Sequence, residues 1–157
     1  MALTKINNNT LSAVTTLPAA IATGKVLQVV STSTTTEAST TSTSWQNTSL
    51  TANITPSATS SKIYIIGSTN GQSAGSNERN NLSIFRDSTN LGDSGQGFGR
   101  SLNADELMEK AAISFVDSPS STSQITYALY FRSGGGNAIT FDANACKASI
   151  ILMEIAG

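Results

Sequence analysis

The acidic side chains are the first candidates for chemistry in this 157-residue chain. Asp105, Glu106 and Glu109 lie close together in the sequence, and a pair of carboxylates is what a glycosidase uses. Neighbours on one turn of chain do not lie on opposite sides of a glycosidic bond, however, whereas acidic residues in the first turn of a short helix are stabilised by its dipole. Lys110 follows the cluster and balances part of its charge. We therefore predict a structural role for these carboxylates and no catalytic residue.

A glycine-rich segment is the second candidate. Gly95, Gly97 and Gly99 alternate with Gln96 and Phe98, a pattern that superficially resembles a phosphate-binding loop. The segment lacks the Lys-Ser/Thr pair and the strand-helix setting that such a loop needs. We predict a flexible surface loop instead.

Composition excludes most other kinds of site. With no His and one Cys, the chain has no histidine-based catalysis, no internal disulfide and no cysteine zinc site. Asp93 is only a weak calcium ligand candidate, because no EF-hand Glu follows at the twelfth position. The net charge of −1 gives no field for a phosphate backbone, and no apolar run approaches the ~20 residues of a membrane span. We expect no metal, no cofactor, no nucleic acid partner, no membrane insertion and no enzymatic activity.

Two aromatic residues are candidates for ligand binding. Trp45 and Phe98 lie in polar surroundings, where a flat ring could contact a sugar. The other aromatic residues fall on alternating strands and are better explained as core. A purely structural role is the alternative for Trp45 and Phe98 as well.

Alternation of apolar and polar residues predicts the elements that must position these side chains. Ile125, Tyr127, Leu129 and Phe131 share one face of the clearest strand. Further strands are predicted at 25–30, 50–55, 63–66, 82–84, 110–117, 139–141 and 150–153, with turn residues between them. This spacing predicts an all-β fold, namely a single β-sandwich, jelly-roll-like domain over residues 25–157.

Three segments carry more specific expectations. Residues 25–30 are apolar on both faces, as in a strand buried inside a sandwich. The Ser/Thr-rich stretch 31–44 is predicted to be a solvent-facing strand and loop, since Thr suits a pleated surface. Asn103 could cap one short helix, with Glu106 three residues later.

Residues 1–24 form an N-terminal arm distinct from the body. Its apolar side chains are spaced among Asn and Thr: Leu3, Ile6, Leu11, Val14, Leu17 and Ile21. One interpretation is a disordered terminus. The other is an attachment arm that becomes ordered when these side chains dock on a neighbour.

Several segments of the body carry a family resemblance. They are GKVLQVV at 24–30, ITPS at 54–57 with SSKI at 60–63, SIFRDS at 83–88, DSP at 117–119, TY at 126–127 and MEIA at 153–156. In this order, and over roughly residues 24 to 157, the set resembles domains of tail-fibre-like virion proteins from tailed bacteriophages, many of them marine or cyanobacterial. The opening MALTKI resembles the start of such proteins.

The resemblance implies a non-enzymatic virion component with a β-sandwich tip, typically a homotrimer, assembled in the cytoplasm of a host bacterium. Pro56, Pro119, Arg86 and Asp87 match framework positions, and no catalytic residue carries over. On this hypothesis the arm attaches to other virion proteins, and loops of the body contact a host-surface polysaccharide. Long fibres place a repetitive shaft before the tip, and this sequence shows none. A short fibre or knob is therefore one hypothesis, and a capsid decoration protein (a cement or head-fibre protein) that binds the shell is the alternative.

Overall fold

The computed structural model describes residues 24–73, 78–103 and 109–157. The attachment-arm residues Leu3, Ile6, Leu11, Val14, Leu17 and Ile21 lie outside these ranges. The strands are β1 (Val26–Thr34), β2 (Ala38–Thr40), β3 (Gln46–Ile54), β4 (Lys62–Ser73), β5 (Glu78–Arg86), β6 (Thr89–Asn90), β7 (Gly99–Asn103), β8 (Glu109–Asp117), β9 (Ile125–Ser133), β10 (Ile139–Phe141) and β11 (Ala148–Ile155). A 3-10 turn at Ala143–Ala145 precedes β11.

The strands form two antiparallel sheets, which confirms the predicted all-β sandwich. In the six-stranded sheet A, β1, β11, β4, β10 and β2 follow in order, and β8 pairs with β4. In the five-stranded sheet B, β3, β9, β5 and β6 follow in order, and β7 pairs with β5. Most neighbours are not consecutive in sequence, so the chain crosses between the sheets repeatedly, as in a jelly-roll-like fold.

The core lies between the sheets and consists of the inward residues of each strand. Ile63 and Ile65 of β4 face Ile84 of β5 and Leu129 of β9, and all four are fully buried. The prediction of β9 from alternating apolar residues is confirmed, because every second residue of that strand lies in the core.

The prediction for residues 25–30 is wrong in its placement. They open β1, but this strand pairs only with β11 among the described residues and therefore lies at the edge of sheet A. Val26, Leu27 and Val29 are 45%, 41% and 57% exposed, and Val30 is the residue of this stretch that packs on the core. Two apolar faces on a strand do not distinguish a central strand from an edge strand whose outer face is also apolar.

Two other expectations have different outcomes. The Ser/Thr-rich stretch continues β1, turns and then forms β2, as predicted for a solvent-facing strand and loop. The predicted helix begins at a residue, Asn103, that ends strand β7, and its last residue, Glu109, starts β8. Residues 104–108 lie outside the described ranges. Among the described residues, no helix is long and apolar enough to span a membrane.

A partly buried ionic network joins the two sheets at one end. Arg86 of β5 donates to both carboxylate oxygens of Asp117 in β8, at 2.9 and 3.0 Å. Tyr127 of β9 donates its hydroxyl to the same carboxylate at 2.6 Å. Burial, together with this hydrogen bond to Asp117, raises the pKa of Tyr127 above its ordinary range.

A buried glutamate in each sheet holds the neighbouring connections. Glu154 of β11 accepts hydrogen bonds from Gln28, Ser57 and Ser61 at 2.6–2.7 Å. Glu78 of β5 accepts four hydrogen bonds, from the backbone N–H groups of residues 79, 135 and 137 and from the hydroxyl of residue 133. Burial alone would raise the pKa of each carboxyl, but these donors lower both pKa values to about 2.

Candidate functional site

The glycine-rich segment runs along the edge of β5 and reaches the outer face of sheet B at Ser94 and Gly95. Asp93 and Gly97 exchange two backbone hydrogen bonds, and the N–H of Phe98 donates to the carbonyl of Leu82 at 2.9 Å. Gly97 has a φ of 68°, and a Cβ there would lie 2.3 Å from the Leu82 carbonyl oxygen. The segment is at the surface as predicted, but it is closed by its own backbone and requires glycine at this position.

Trp45 lies on this same outer face of sheet B. Its indole N–H donates to the Ser94 carbonyl at 3.0 Å, and its ring meets Phe85 edge-on with centroids 6.1 Å apart. Phe85 in turn stacks on Tyr130 at 3.9 Å. The side chain is half-buried, so part of the predicted sugar-binding ring is already in contact with the protein.

Arg132 also contacts the Trp45 ring. Its guanidinium carbon lies 5.3 Å from the centroid of the Trp45 ring, a cation–π distance. The same guanidinium donates to the carbonyl of Thr43 at 3.0 Å and to that of Gly95. Arg132 therefore ties the residues before β3 to the glycine-rich segment.

Phe98 has different neighbours from Trp45. It is half-buried, packs on the core and meets Phe115 of β8 edge-on with centroids 5.1 Å apart. It also lines a cavity of about 260 Å³ between β7 and β8, where the edges of the two sheets face each other. The structure thus places the two predicted ligand residues on different surfaces, and ligand binding by either residue stays a prediction.

The cavity combines apolar walls with one buried amide. Leu82, Phe98 and Phe141 line it together with the inward residues of β8. Asn80 of β5 also lines it, is only 3% exposed, and has no hydrogen-bond partner for either side-chain polar atom. A buried amide without partners costs about 1–3 kcal/mol, so an inward Asn in a strand is unusual unless it binds something.

Two cations lie where the cavity opens. Arg100 of β7 and Lys110 of β8 both contribute to its lining and are exposed. The one salt bridge within the described ranges, Arg86–Asp117, involves neither of them. The site therefore presents a donor and an acceptor at its buried end and two cationic side chains at its mouth.

Sequence reasoning missed Asn80, Arg100 and Lys110 as members of one site. The available signal was the alternation of β5, in which Leu82 and Ile84 face the core and place Asn80 on the same inward face. The sequence pattern does not predict that β7 pairs with β5 and β8 with β4, and these pairings bring Arg100 and Lys110 to the cavity.

The acidic cluster and Asp93, the weak calcium candidate, have different places in the structure. Asp105 and Glu106 lie outside the described residues, and Glu109 lies in a strand. Asp93 accepts backbone hydrogen bonds from Gly95 and Gln96, which caps the turn. Across the described part of the chain, no group of three or more acidic or Cys residues is arranged to hold a metal ion. Cys146 is a half-buried free thiol in the connection between β10 and β11, two strands that do not pair with each other.

The outer face of sheet A is apolar along two cross-strand rows. In the first row, Val29, Met153, Tyr64 and Val116 are register partners on β1, β11, β4 and β8. In the second row, Ile151 and Ile66 are partners between two serines. Val29 and Val116 are 57% and 49% exposed, and the residues between them are half-buried. We call these two rows the outer patch.

Comparison with known proteins gives similar structures and no family. No protein-family model matches the chain, and no curated protein matches it. Its path is similar to that of VP2 in the crystal structure of an infectious bursal disease virus subviral particle, with 10% identity and a TM-score of 0.46. A structure of the T13 particle of the same virus gives 8% identity and a TM-score of 0.48. Each match covers 83% of this chain but only 38% of the other, and neither protein belongs to a tailed bacteriophage.

Proposed function

We propose that this protein is a non-enzymatic structural component of a virus particle, displayed on its surface as a homotrimeric β-sandwich. The resemblance of residues 24–157 to tail-fibre-like proteins suggests the role, and the outer patch is the observation that supports assembly. A row of apolar side chains that crosses four strands is what a subunit interface requires. The arm at residues 1–24 would then attach the trimer to other virion proteins.

A second copy of the chain is the occupant that we propose for the outer patch. The patch ends at β1, an edge strand whose outer backbone groups have no strand partner among the described residues. Val26 and Leu27 continue the apolar surface along that edge. Edge strands with exposed apolar side chains pair readily with another chain, and closed assembly of copies removes the edge.

Sedimentation of the purified chain tests this interface. Val116→Asp places a charge in the outer patch, at its β8 end, and we expect a trimer to become a monomer because a buried unpaired carboxylate is costly. Asn53→Asp is the matched control, because it adds the same charge at an exposed strand position of sheet B. A wild-type chain that sediments as a monomer contradicts the trimer, and equal behaviour of the two variants contradicts the outer patch as its interface.

Counting copies on intact particles tests the role itself. A small multiple of three or six indicates a tail appendage such as a short fibre or knob, whereas hundreds of copies indicate a capsid decoration protein, since particle symmetry fixes these numbers. Deleting residues 1–24 should abolish attachment and leave the body folded. Unchanged occupancy would contradict the attachment arm.

A further inference from the structure

We infer that the cavity between β7 and β8 binds a single acidic sugar residue, with its hydroxyls at Asn80 and its carboxylate at Arg100 and Lys110. The inference rests on the proposed display role, because a displayed protein meets the polysaccharides of a host surface. The sugar would be inserted at one sheet edge beside Phe98, and Trp45 would not contact it.

The buried end of the cavity selects a hydroxylated group. The Asn80 side chain offers two N–H donors and a carbonyl acceptor, and neither atom has a partner. A sugar hydroxyl is both a donor and an acceptor, so one or two adjacent hydroxyls can satisfy both ends of the amide. A purely apolar ligand would leave the amide unsatisfied, and that cost of about 1–3 kcal/mol disfavours it.

The walls select a compact ring. A cavity of about 260 Å³ lies just below the ~300–1,000 Å³ of sites for drug-sized ligands, which favours one ring over a chain. Phe98 and Leu82 form an apolar wall that the C–H face of a sugar ring can contact. Ala111 and Ile113 of β8 line the opposite side of the cavity. A sugar ring that enters the cavity therefore buries its C–H face against these apolar side chains.

The mouth selects negative charge. Arg100 and Lys110 extend from the two strands that border the opening, and no described acidic residue lines the cavity. An Arg fork binds a carboxylate through two parallel hydrogen bonds, and Lys adds a point charge. A sugar with a carboxylate, such as a hexuronate, carries the hydroxyls, the ring and the charge in one residue.

Titration by two-dimensional NMR tests the inference on the purified full chain. The probes are glucuronic acid, glucose and inorganic phosphate, each added separately. We expect glucuronic acid to shift the amide signals of Gly71 and Gly99, which line the cavity, and to bind at least about tenfold more tightly than glucose because of its charge-assisted hydrogen bonds. Phosphate binding as tight as that of glucuronic acid would show a generic anion site and overturn the sugar assignment, as would the absence of shifts with glucuronic acid.

Two variants distinguish the contribution of the Asn80 amide to binding from that of Arg100 and Lys110. Asn80→Leu should abolish the shifts while the melting temperature stays equal or rises, because an unsatisfied amide is replaced by an apolar side chain; a purely structural role predicts a lower melting temperature. The double variant Arg100→Gln/Lys110→Gln should lower the affinity for glucuronic acid at least about tenfold and leave the affinity for glucose unchanged. Lys25→Gln/Lys62→Gln is the matched control, since it removes the same charge from exposed positions at the other end of sheet A.

The outcomes of these variants are decisive in each case. Binding that persists in Asn80→Leu contradicts the inference, and so does equal weakening by the control pair. If Asn80→Leu does not fold, the comparison of Arg100→Gln/Lys110→Gln with Lys25→Gln/Lys62→Gln still tests the inference. Because these readouts concern the purified chain and the proposed role is read on particles, failure of the sugar site is distinguishable from failure of the virion role.

Discussion

The outer faces of the two sheets differ in what covers them. On sheet B the chain covers part of its own outer face: Ser94 and Gly95 accept hydrogen bonds from Trp45 and Arg132. Trp45 also packs on Phe85, which stacks on Tyr130. On sheet A the apolar residues of the outer patch have no such cover from the described residues, and Val29 is 57% exposed. The outer face of sheet B is thus partly covered within one chain, whereas the described residues leave that of sheet A uncovered, and this is the surface on which we propose a second copy.

Acid should weaken both sheets together, and we expect this to be the largest effect. The folded pKa values of Glu78 and Glu154 are about 2, below the ordinary 4.5 that applies when the chain is unfolded. A depressed folded pKa stabilises the protein above pH 4.5, and the contribution is lost as the pH falls from 4.5 towards 2. Urea denaturation at several pH values should therefore show a falling free energy of unfolding in this window.

The variants Glu78→Gln and Glu154→Gln sharpen this result. Each should flatten the pH dependence between 4.5 and 2, because the titrating group is gone. Asp142 acts in the opposite sense, since burial raises its pKa, although a hydrogen bond from Thr69 partly offsets that rise. A wild-type protein whose stability is constant across this window would contradict the glutamate networks.

Truncating one aromatic residue on each outer face compares the faces directly. Phe85 is buried under Trp45 and against Tyr130, so Phe85→Ala should lower the free energy of unfolding by about 3 kcal/mol. Tyr64 is half-buried in the outer patch, and Tyr64→Ala should cost only about 1 kcal/mol in the monomer. Equal losses in chemical denaturation would mean that the two faces are covered alike.

Adding a methyl group tests the cover of sheet B at its turn. Gly97→Ala forces a side chain into a positive φ and against the Leu82 carbonyl, which should cost about 2 kcal/mol. Gly99→Ala, two residues away, meets nothing within 4 Å and should change the free energy of unfolding by less than about 0.5 kcal/mol. Thermal melts of the two variants that coincide would argue against the closed turn.

The smallest effect is expected on the exposed edge of sheet A. Val29→Thr keeps the branched side chain that suits a strand, so the free energy of unfolding of a monomer should change by less than about 0.5 kcal/mol. The association constant should fall if a second copy covers the residue. A large loss of monomer stability would show that Val29 is already covered within one chain.

Local patterns predicted much of the fold and little of the site. The inward residues of β9, the end of β8 ahead of Pro119 and the solvent-facing β2 follow from alternation, from proline geometry and from the β propensity of Thr. The strands β6 and β7 were missed because each is short and has little alternation of its own. Asn80 was missed because a single polar residue in an apolar strand pattern has no meaning until its surroundings are known.

The period of the apolar residues is enough to predict the fold class, and the absence of His with a single Cys excludes histidine-based catalysis and an internal disulfide. Which apolar strand lies at an edge, and which residues share a cavity, follows from how the strands pair. Val29 and Val116 are distant in sequence and lie in one row of the sheet, separated by two strands. Asn80, Arg100 and Lys110 come from three strands of two sheets. The physical reason is that strand pairing is non-local: each strand records which of its faces is apolar, but not which strand will lie beside it.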